Sequence, residues 1–378
     1  MRRPSRLERL PQQYFVSLLA RVAAAAAEPG PPLVDLGRGN PETGPPQHVI
    51  EALRESVLDA NVHGYAPIRG LARTKEAIAA RYADVYGVTL DSETEVALLP
   101  GTKTGIVELA LALCEEGDTL LLPDPYYPDY PSGPALAGAR LETVTLLPEQ
   151  GFAPDLAAAP HAAALYLNYP SNPCAVCAPA GVFESAVVWS RRTGGAVVHD
   201  AAYIDIVYDG RTPQSFLAVP GAKDVGVELW SMSKTYGMAG WRVGFVVGNA
   251  EIVERVNLLN DHSRVGIFAP VQAATIAALE GPQDSVAERV EAYRRRRDVM
   301  AAALPEPPVC EGTFFMWTRL PEGLTAERLL AEERVAVAPG EGFGPSGAGW
   351  ARLSLAVTDE TIEAGAERLQ RAFAAVTA

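Results

Sequence analysis

Cysteine is scarce in this sequence. The chain of 378 residues contains four, namely Cys114, Cys174, Cys177 and Cys310. This number is too low for the disulfide framework of a small secreted protein, and we expect a protein of the reducing cytoplasm. Cys174 and Cys177 form a C-x-x-C pair, but no second pair follows at the spacing of a zinc ribbon. The sequence therefore predicts no metal site.

Basic residues are also few compared with acidic ones. Lys and Arg total 32 against 46 Asp and Glu, which gives a formal charge of -14. This surplus of negative charge repels nucleic acids and anionic lipid surfaces. In addition, no segment of the sequence reaches the roughly 18 consecutive apolar residues of a membrane span. These deficits favour an enzyme acting on small molecules, with neither a nucleic-acid nor a membrane partner.

Apolar residues, at 48% of the chain, are sufficient for one large core and a second smaller one. Helical patterns at 7–27, 46–59 and 69–86 alternate with short apolar runs. The runs that we predict to be buried parallel strands are 95–99, 119–122, 163–167, 195–199 and 243–247. The predicted fold class is α/β, with helices on both faces of a mostly parallel central sheet and a smaller α/β domain. Such sheets bind ligands at the carboxyl ends of their strands.

A lysine with hydroxyl neighbours follows one predicted strand. Ser231, Ser233 and Lys234 come after the apolar segment 227–230, and Arg242 lies a few residues later. A lysine at a strand end is placed to form an imine, while hydroxyls and a guanidinium can bind phosphate. Taken alone, this motif is more often a surface lysine in a polar loop. Support must come from other segments.

Two other strand ends carry matching groups. Asp200 ends one apolar strand and is followed by Tyr203, and Asn172 lies in the loop after another. A buried carboxylate can keep a pyridine nitrogen protonated, and a phenol or an amide can bond a phenolate oxygen on the same ring. Individually, the carboxylate could be a helix cap and the amide part of a turn.

Further candidates complete a pocket for a phosphorylated ring and an acid. Residues 100–105 lie between a strand and a helix, where backbone amides bind phosphate. Tyr127 follows another strand and could stack on a planar ring, although most isolated tyrosines belong to a core or a turn. Arg352 could pair with a carboxylate, with a structural ion pair as the alternative.

Taken together, these segments resemble the class I/II aminotransferases of pyridoxal-phosphate (PLP) fold type I over nearly the whole chain. The similarity is closest to the bacterial methionine-salvage and LL-diaminopimelate aminotransferases, through L-G-R-G-N-P at 36–41, D-P-Y-Y-P-D-Y at 124–130 and V-A-V-A-P-G-E-G-F-G at 335–344. The resemblance implies a large PLP-binding domain at 46–280 and a small domain made of 1–45 and 281–378. It also implies a homodimer with shared active sites.

The same resemblance implies a role for each candidate. Lys234 would carry PLP as a Schiff base, Asp200 would hold the pyridine nitrogen, and Asn172 with Tyr203 would bind the phenolate oxygen. Tyr127 would stack on the ring, and Arg352 with the backbone of Gly39 and with Asn172 would bind the substrate. The phosphate ligands would be Thr102, Lys103, Ser231, Ser233 and Arg242, with Tyr65 added from the second subunit.

The chain departs from the family pattern at three places. Cys174 and Ala175 stand where Thr-Gly is usual, so the turn must tolerate a side chain in place of glycine. Arg38 and Arg264 stand where they could charge or enlarge the substrate pocket, and Arg38 is a candidate substrate ligand.

The predicted activity is transfer of an amino group between an L-amino acid and a 2-oxo acid. The predicted substrate is methionine-like, or has another neutral or aromatic side chain. A PLP-dependent carbon–sulfur lyase or another α-carbanion enzyme is the alternative on the same fold. A PLP-binding transcriptional regulator is disfavoured, because only about thirty-five residues precede the Leu36 motif and the chain is acidic.

Overall fold

The computed structural model describes residues 4–377 and contains three sheets. The strands are β1 Val34–Asp35, β2 Val96–Leu99, β3 Thr119–Asp124, β4 Arg140–Thr145, β5 Ala164–Asn168, β6 Ala196–Asp200, β7 Gly226–Ser231, β8 Gly244–Gly248, β9 Phe315–Arg319, β10 Val335–Ala336, β11 Ala338–Pro339 and β12 Trp350–Ser354. The α-helices are α1 Ser5–Glu8, α2 Tyr14–Ala27, α3 Gln47–Val57, α4 Ala72–Tyr86, α5 Thr102–Leu113, α6 Ser132–Ala137, α7 Val182–Thr193, α8 Ala222–Val225, α9 Met232–Thr235, α10 Ala250–Ser263, α11 Ala269–Glu280, α12 Asp284–Ala302, α13 Ala326–Arg328 and α14 Asp359–Thr377.

Seven strands form the central sheet in the order β2-β8-β7-β6-β5-β3-β4. Alternate residues of its strands face opposite sides: Leu229 and Val246 belong to a core with α5 and α10, and Trp230 and Phe245 to a core with α4, α7 and α11. Helices therefore cover both faces, and the predicted αβα sandwich with a mostly parallel sheet is confirmed.

The direction of one strand differs from the prediction. We expected the run at 243–247 to be parallel, but β8 pairs antiparallel with both β7 and β2. A buried strand has the same apolar composition in either direction, so its residues carry no signal of orientation. The reversal puts the start of β8, rather than its end, at the edge where β7 ends.

Two other elements also differ. The helix expected at 7–27 is divided into α1 and α2 by a segment containing Pro11, since proline lacks the N–H that a continuous helix needs. Strand β4 was not predicted, because it lies at the edge of the sheet and alternates charged, exposed residues such as Arg140 and Glu142 with partly buried ones.

The C-terminal part of the chain builds a second core. Strands β11, β12 and β9 form an antiparallel sheet, and β1 from the N-terminal part pairs with β10. Buried residues of β1, β9, β12, α12 and α14 form one apolar cluster. No helix in the described part of the chain is long and apolar enough to cross a membrane.

Candidate active site

The carboxyl ends of five strands meet at one edge of the central sheet, beside a cavity of about 810 Å³. Strands β2, β3, β5, β6 and β7 run in the same direction, so the residues that follow them gather there. The predicted site residues that line this cavity are Arg38, Gly39, Thr102, Lys103, Tyr127, Asn172, Asp200, Tyr203, Lys234 and Arg352.

Lys234 lies in the short helix α9 directly after β7. The hydroxyl of Ser231 caps this helix by accepting the Ser233 N–H at 3.2 Å. The Lys234 Nζ donates to the Gly39 carbonyl at 3.1 Å and lies 5.2 Å from the centre of the Phe314 ring. Burial, followed by the positive charges of Arg352 and Arg242, lowers the pKa of Lys234 to about 8. The neutral amine, which is the form that acts as a base or nucleophile, is therefore accessible near neutral pH.

Asp200 is the last residue of β6 and is buried. Its Oδ2 accepts the Tyr130 hydroxyl at 2.8 Å, and its Oδ1 accepts the Ala202 N–H at 3.2 Å. Burial raises the pKa of Asp200, and the hydrogen bond from Tyr130 opposes that rise. The carboxylate can hold a protonated ring nitrogen. Tyr130 ends the D-P-Y-Y-P-D-Y motif at 124–130, and the motif alone assigns it no role.

Tyr203 and Asn172 line the same cavity as this carboxylate. Within residues 4–377 the Tyr203 hydroxyl has no hydrogen-bond partner, while its ring packs edge-on against Phe314 and Phe315. Asn172 is fixed by its own N–H, which donates to the Asn168 Oδ1 at 2.7 Å. A phenol facing the cavity and an amide held beside it are placed to bond an oxygen of a bound ring.

The turn after Asn172 accommodates its departure from the family pattern. Ala175 takes the place usual for glycine and adopts a left-handed backbone with φ 60°. Its carbonyl accepts the N–H groups of Glu311 and Gly312, and its side chain is fully buried. These contacts hold the conformation that alanine alone would disfavour.

The start of α5 forms the end of the cavity suited to phosphate. Thr102 and Lys103 occupy its first turn, where backbone N–H groups lack helical partners. The Arg242 guanidinium lies against Gly101, where a Cβ would overlap it, and donates to the Pro100 carbonyl at 3.0 Å. Arg242 reaches this place because β8, which begins just after it, is antiparallel.

Not every predicted phosphate ligand lines the cavity. Ser231, Ser233 and Arg242 are not among its lining residues. Both serines are buried, and the Ser231 hydroxyl is occupied in capping α9. Lys103 faces the cavity but pairs with Asp129 at 2.8 Å. Tyr65 is 90% exposed on the surface of the single chain. The roles of these residues as phosphate ligands stay predictions.

Arg352 is a buried cation in the middle strand of the C-terminal sheet. Its Nη1 donates to the Asn172 Oδ1 at 2.9 Å, and its guanidinium stacks on Phe315 at 3.8 Å from the ring centre. Its Nε has no partner, and no carboxylate of the described chain forms an ion pair with it. Burial lowers the pKa of Arg352 to about 10, so it remains charged at neutral pH. A buried arginine without a counter-ion is a site for an external carboxylate.

The cavity also has an apolar wall near Arg352 that the sequence analysis does not predict. Phe15, Leu18 and Leu19 of α2 line the cavity, and their spacing of i, i+3 and i+4 puts them on one helix face. The Phe15 ring also lies 5.4 Å from the Arg352 guanidinium. The helical period in this segment was the available signal, but it does not reveal which partner the face covers.

The two arginines that depart from the family pattern lie in different places. Arg38 lines the mouth of the cavity, with its Nε paired to Asp35 at 2.7 Å and 61% of its side chain exposed. Arg264 does not line the cavity. It bonds the Leu98 carbonyl at 3.0 Å and lies 3.5 Å from Glu108, so the idea that it charges the pocket has no support in this chain.

These groups suit PLP. A lysine amine of lowered pKa, a buried carboxylate, an aromatic ring and a helix start lie around one cavity. The Arg242 guanidinium lies against Gly101, directly before that helix. The unpartnered Nε of Arg352 adds a place for a substrate carboxylate. Within the described residues, no group of three potential ligand side chains is arranged to hold a metal ion.

Comparison with known proteins agrees with this geometry. The family model for aminotransferase class I and II matches residues 31–369. The L-glutamine--4-(methylsulfanyl)-2-oxobutanoate aminotransferase of Bacillus subtilis is 43% identical over 376 residues, covering 96% of this chain and 94% of that protein. An LL-diaminopimelate aminotransferase of Moorella thermoacetica is 37% identical over 391 residues, covering both chains fully. The substrate-bound structure of BacF from Bacillus subtilis superposes with a TM-score of 0.92 at 37% identity, covering 98% of each chain.

Proposed function

For this chain, which belongs to the class I and II aminotransferase family and is a PLP-dependent transaminase, we propose that Lys234 binds the cofactor. We also propose that the substrate is an L-amino acid with a neutral, methionine-like side chain. The observation that carries the proposal is the pairing, in one cavity, of an amine with a lowered pKa and a buried arginine without a counter-ion. The relatives named above are aminotransferases, and nothing in the site favours the carbon–sulfur lyase alternative.

The residues divide the work of the reaction. Bound PLP supplies a protonated ring that withdraws electrons from the substrate α-carbon. Asp200 would hold the proton on the ring nitrogen, and Tyr203 and Asn172 would bond the ring oxygen. Arg352 binds the substrate carboxylate, with its guanidinium held flat by Phe315. The Nζ of Lys234, with its lowered pKa, would be the base that removes the α-proton.

The shape of the cavity supports the substrate assignment. An amino acid whose carboxylate is on Arg352 would meet the apolar face of α2, formed by Phe15, Leu18 and Leu19, which favours an uncharged side chain. The relative that is 43% identical is named for 4-(methylsulfanyl)-2-oxobutanoate, the 2-oxo acid that corresponds to methionine. Arg38, at the mouth, would contact the polar end of a longer substrate through its two terminal nitrogens.

We further propose that the enzyme is a cytoplasmic homodimer, with Tyr65 reaching the phosphate of the second subunit. Large apolar side chains near Tyr65 in the sequence and after α10 are exposed in the single chain, among them Ile68, Val265 and Phe268. Apolar residues this exposed are typical of a surface covered by a partner. Sedimentation of the purified protein tests the dimer directly, and a monomer at working concentration would contradict it.

We also propose a division into a large domain at 46–280 and a small domain of 1–45 with 281–378, which the pairing of the strands supports. Strand β1 pairs with β10, which joins the N-terminal segment to the C-terminal core rather than to the central sheet. The cavity lies between the ends of the central sheet and the C-terminal sheet that carries Arg352. A movement of the small domain would therefore change access to the carboxylate site.

An absorbance titration tests the function. Wild-type protein and Lys234→Ala, both supplied with PLP, are treated with methionine, glutamine, glutamate or an aromatic amino acid, with no acceptor present. We expect a lysine-dependent cofactor band in the wild type that converts to the pyridoxamine form with methionine. Conversion only with an acidic amino acid would contradict the substrate assignment. A cofactor band that persists while ammonia and keto acid accumulate would indicate the lyase.

A further inference from the structure

The Asp200 carboxylate accepts one hydrogen bond from a side chain and one from the backbone. The Tyr130 hydroxyl donates to Oδ2, and the Ala202 N–H donates to Oδ1. Each carboxylate oxygen thus has one protein donor, and two donors on different oxygens fix the plane of the group. A carboxylate oxygen can accept two hydrogen bonds, so room remains for one more donor from the cavity.

Tyr130 is itself held rigidly. It is 1% exposed, and its ring packs edge-on between Tyr127, at 5.6 Å, and Tyr166, at 5.8 Å. The hydroxyl therefore cannot turn away from Asp200 unless one of the neighbouring rings moves. Because Tyr127 lines the cavity, Tyr130 connects the proposed stacking ring to the proposed partner of the ring nitrogen.

We propose that Tyr130 is a positioning residue for the cofactor, whose hydroxyl keeps Asp200 ionised and aimed at the ring nitrogen and so strengthens the binding of PLP. This inference rests on the role proposed for Asp200. A buried carboxylate binds a proton more readily when it loses a hydrogen-bond donor. A protonated carboxyl group no longer attracts the positive ring nitrogen, so cofactor affinity falls.

Other titratable groups also influence the pKa of Asp200. His199 precedes it on β6, and Lys234, Tyr127, Tyr166 and Tyr203 act from the surrounding elements. Among the described side chains, Tyr130 is the one that donates a hydrogen bond to this carboxylate. Removing its hydroxyl should therefore raise the pKa of Asp200 while leaving the other groups in place.

The chain offers a matched control. Tyr166 is also fully buried, and its hydroxyl donates to the Ile106 carbonyl at 2.9 Å instead of to a carboxylate. Tyr130→Phe and Tyr166→Phe thus lose the same atom at the same depth. Equilibrium dialysis of each apoenzyme against PLP gives the dissociation constant at about pH 6 and about pH 8.5.

We expect Tyr130→Phe to bind PLP about tenfold more weakly than wild type at the lower pH, because a hydrogen bond to a charged group is lost. The difference should shrink at the higher pH, where Asp200 is ionised in both proteins. Tyr166→Phe should stay within about twofold of wild type. An unchanged affinity in Tyr130→Phe, an equal loss in both variants or a loss that is independent of pH would each overturn the proposal. Failure of the wild type to bind PLP would instead overturn the proposed function.

A second measurement needs no cofactor. Asp200→Asn is added to Tyr130→Phe, and thermal unfolding of the apoenzymes is compared. A neutral amide tolerates the missing donor better than a carboxylate does, so the double variant should unfold at a higher temperature than Tyr130→Phe alone. The comparison remains decisive even if Tyr130→Phe alone does not fold, because the double variant should then regain a folded state. A double variant no more stable than Tyr130→Phe would show that the hydroxyl does not act through Asp200.

Discussion

Replacing Arg352 with methionine should remove most of the activity and leave the stability of the apoenzyme almost unchanged. Arg352 is among the largest fully buried side chains, and the loss of such a residue normally destabilises a protein. Here the side chain carries a charge that burial opposes and no carboxylate balances. Methionine keeps the apolar stem and adapts to the remaining space.

The contributions can be compared. Burial lowers the pKa of Arg352 from its ordinary value to about 10, an unfavourable contribution of about 3 kcal/mol at about 1.4 kcal/mol for each tenfold change in proton affinity. On the favourable side, the hydrogen bond to Asn172 contributes about 1.5–3 kcal/mol, the longer one to the Gly37 carbonyl about 0.5–1 kcal/mol and stacking on Phe315 about 1–2 kcal/mol. These values cancel to within about 3 kcal/mol, so the midpoint of thermal unfolding should move by only several degrees.

Activity should respond very differently. Truncating one partner of a buried charge pair costs about 2–5 kcal/mol, so kcat/KM for methionine should fall by about thirtyfold to a few thousandfold. Thermal unfolding of the apoenzyme and steady-state kinetics of the holoenzyme measure the two effects. Arg21→Met, which removes an exposed arginine paired with Glu327 outside the cavity, is the control. A variant that keeps kcat/KM within about threefold, or that loses more than about 4 kcal/mol of stability, would show that Arg352 is a structural cation.

Three other changes test the site. The pKa of Lys234 is lowered to about 8, so between about pH 8 and 10.5 the unfolded chain binds more protons than the folded one, and the stability of the wild-type apoenzyme should rise with pH. Lys234→Met should lose this rise. Denaturant unfolding at about pH 8 and about pH 10.5 measures the difference in the free energy of unfolding. Gly39→Ala would place a Cβ 2.9 Å from the Phe315 ring, and we expect KM for the amino acid to rise about tenfold with little change in thermal stability. An unchanged KM would contradict the proposal that the substrate binds close to the backbone of Gly39. Arg38→Gln should lower kcat/KM about tenfold for a substrate with a polar distal group, but kcat/KM for methionine should stay within about twofold, because the exposed guanidinium lies at the mouth of the cavity. Equal losses for both substrates would refute this.

Most of the central sheet was predictable from local pattern. The five predicted strands are found within about two residues of their expected bounds, because continuous apolar runs next to Gly and Asp are typical of buried strands. Strand β4 escaped this rule, since an edge strand mixes charged and apolar residues. The orientation of β8 also escaped it, because burial on both faces is the same for parallel and antiparallel pairing.

The candidate site was predictable to a similar extent. Residues that immediately follow parallel strands, such as Lys234, Asp200 and Asn172, could be grouped because the ends of parallel strands share one edge. The contribution of α2 could not be derived in this way. Its apolar face is visible at Phe15 and Leu18, but only packing determines that this face covers Arg352 rather than another surface.

By itself, the sequence determined the class of fold, the family and the chemical groups available, because these depend on residue types at short and regular spacings. The tertiary structure decided how those groups act. It leaves Arg352 buried without a counter-ion, brings Tyr130 to Asp200, uses the Ser231 hydroxyl to cap α9 and turns β8 so that Arg242 meets the start of α5. Each of these outcomes depends on contacts between residues far apart in the chain. The burial and hydrogen bonding that set the charge of a side chain appear only when those residues are packed together.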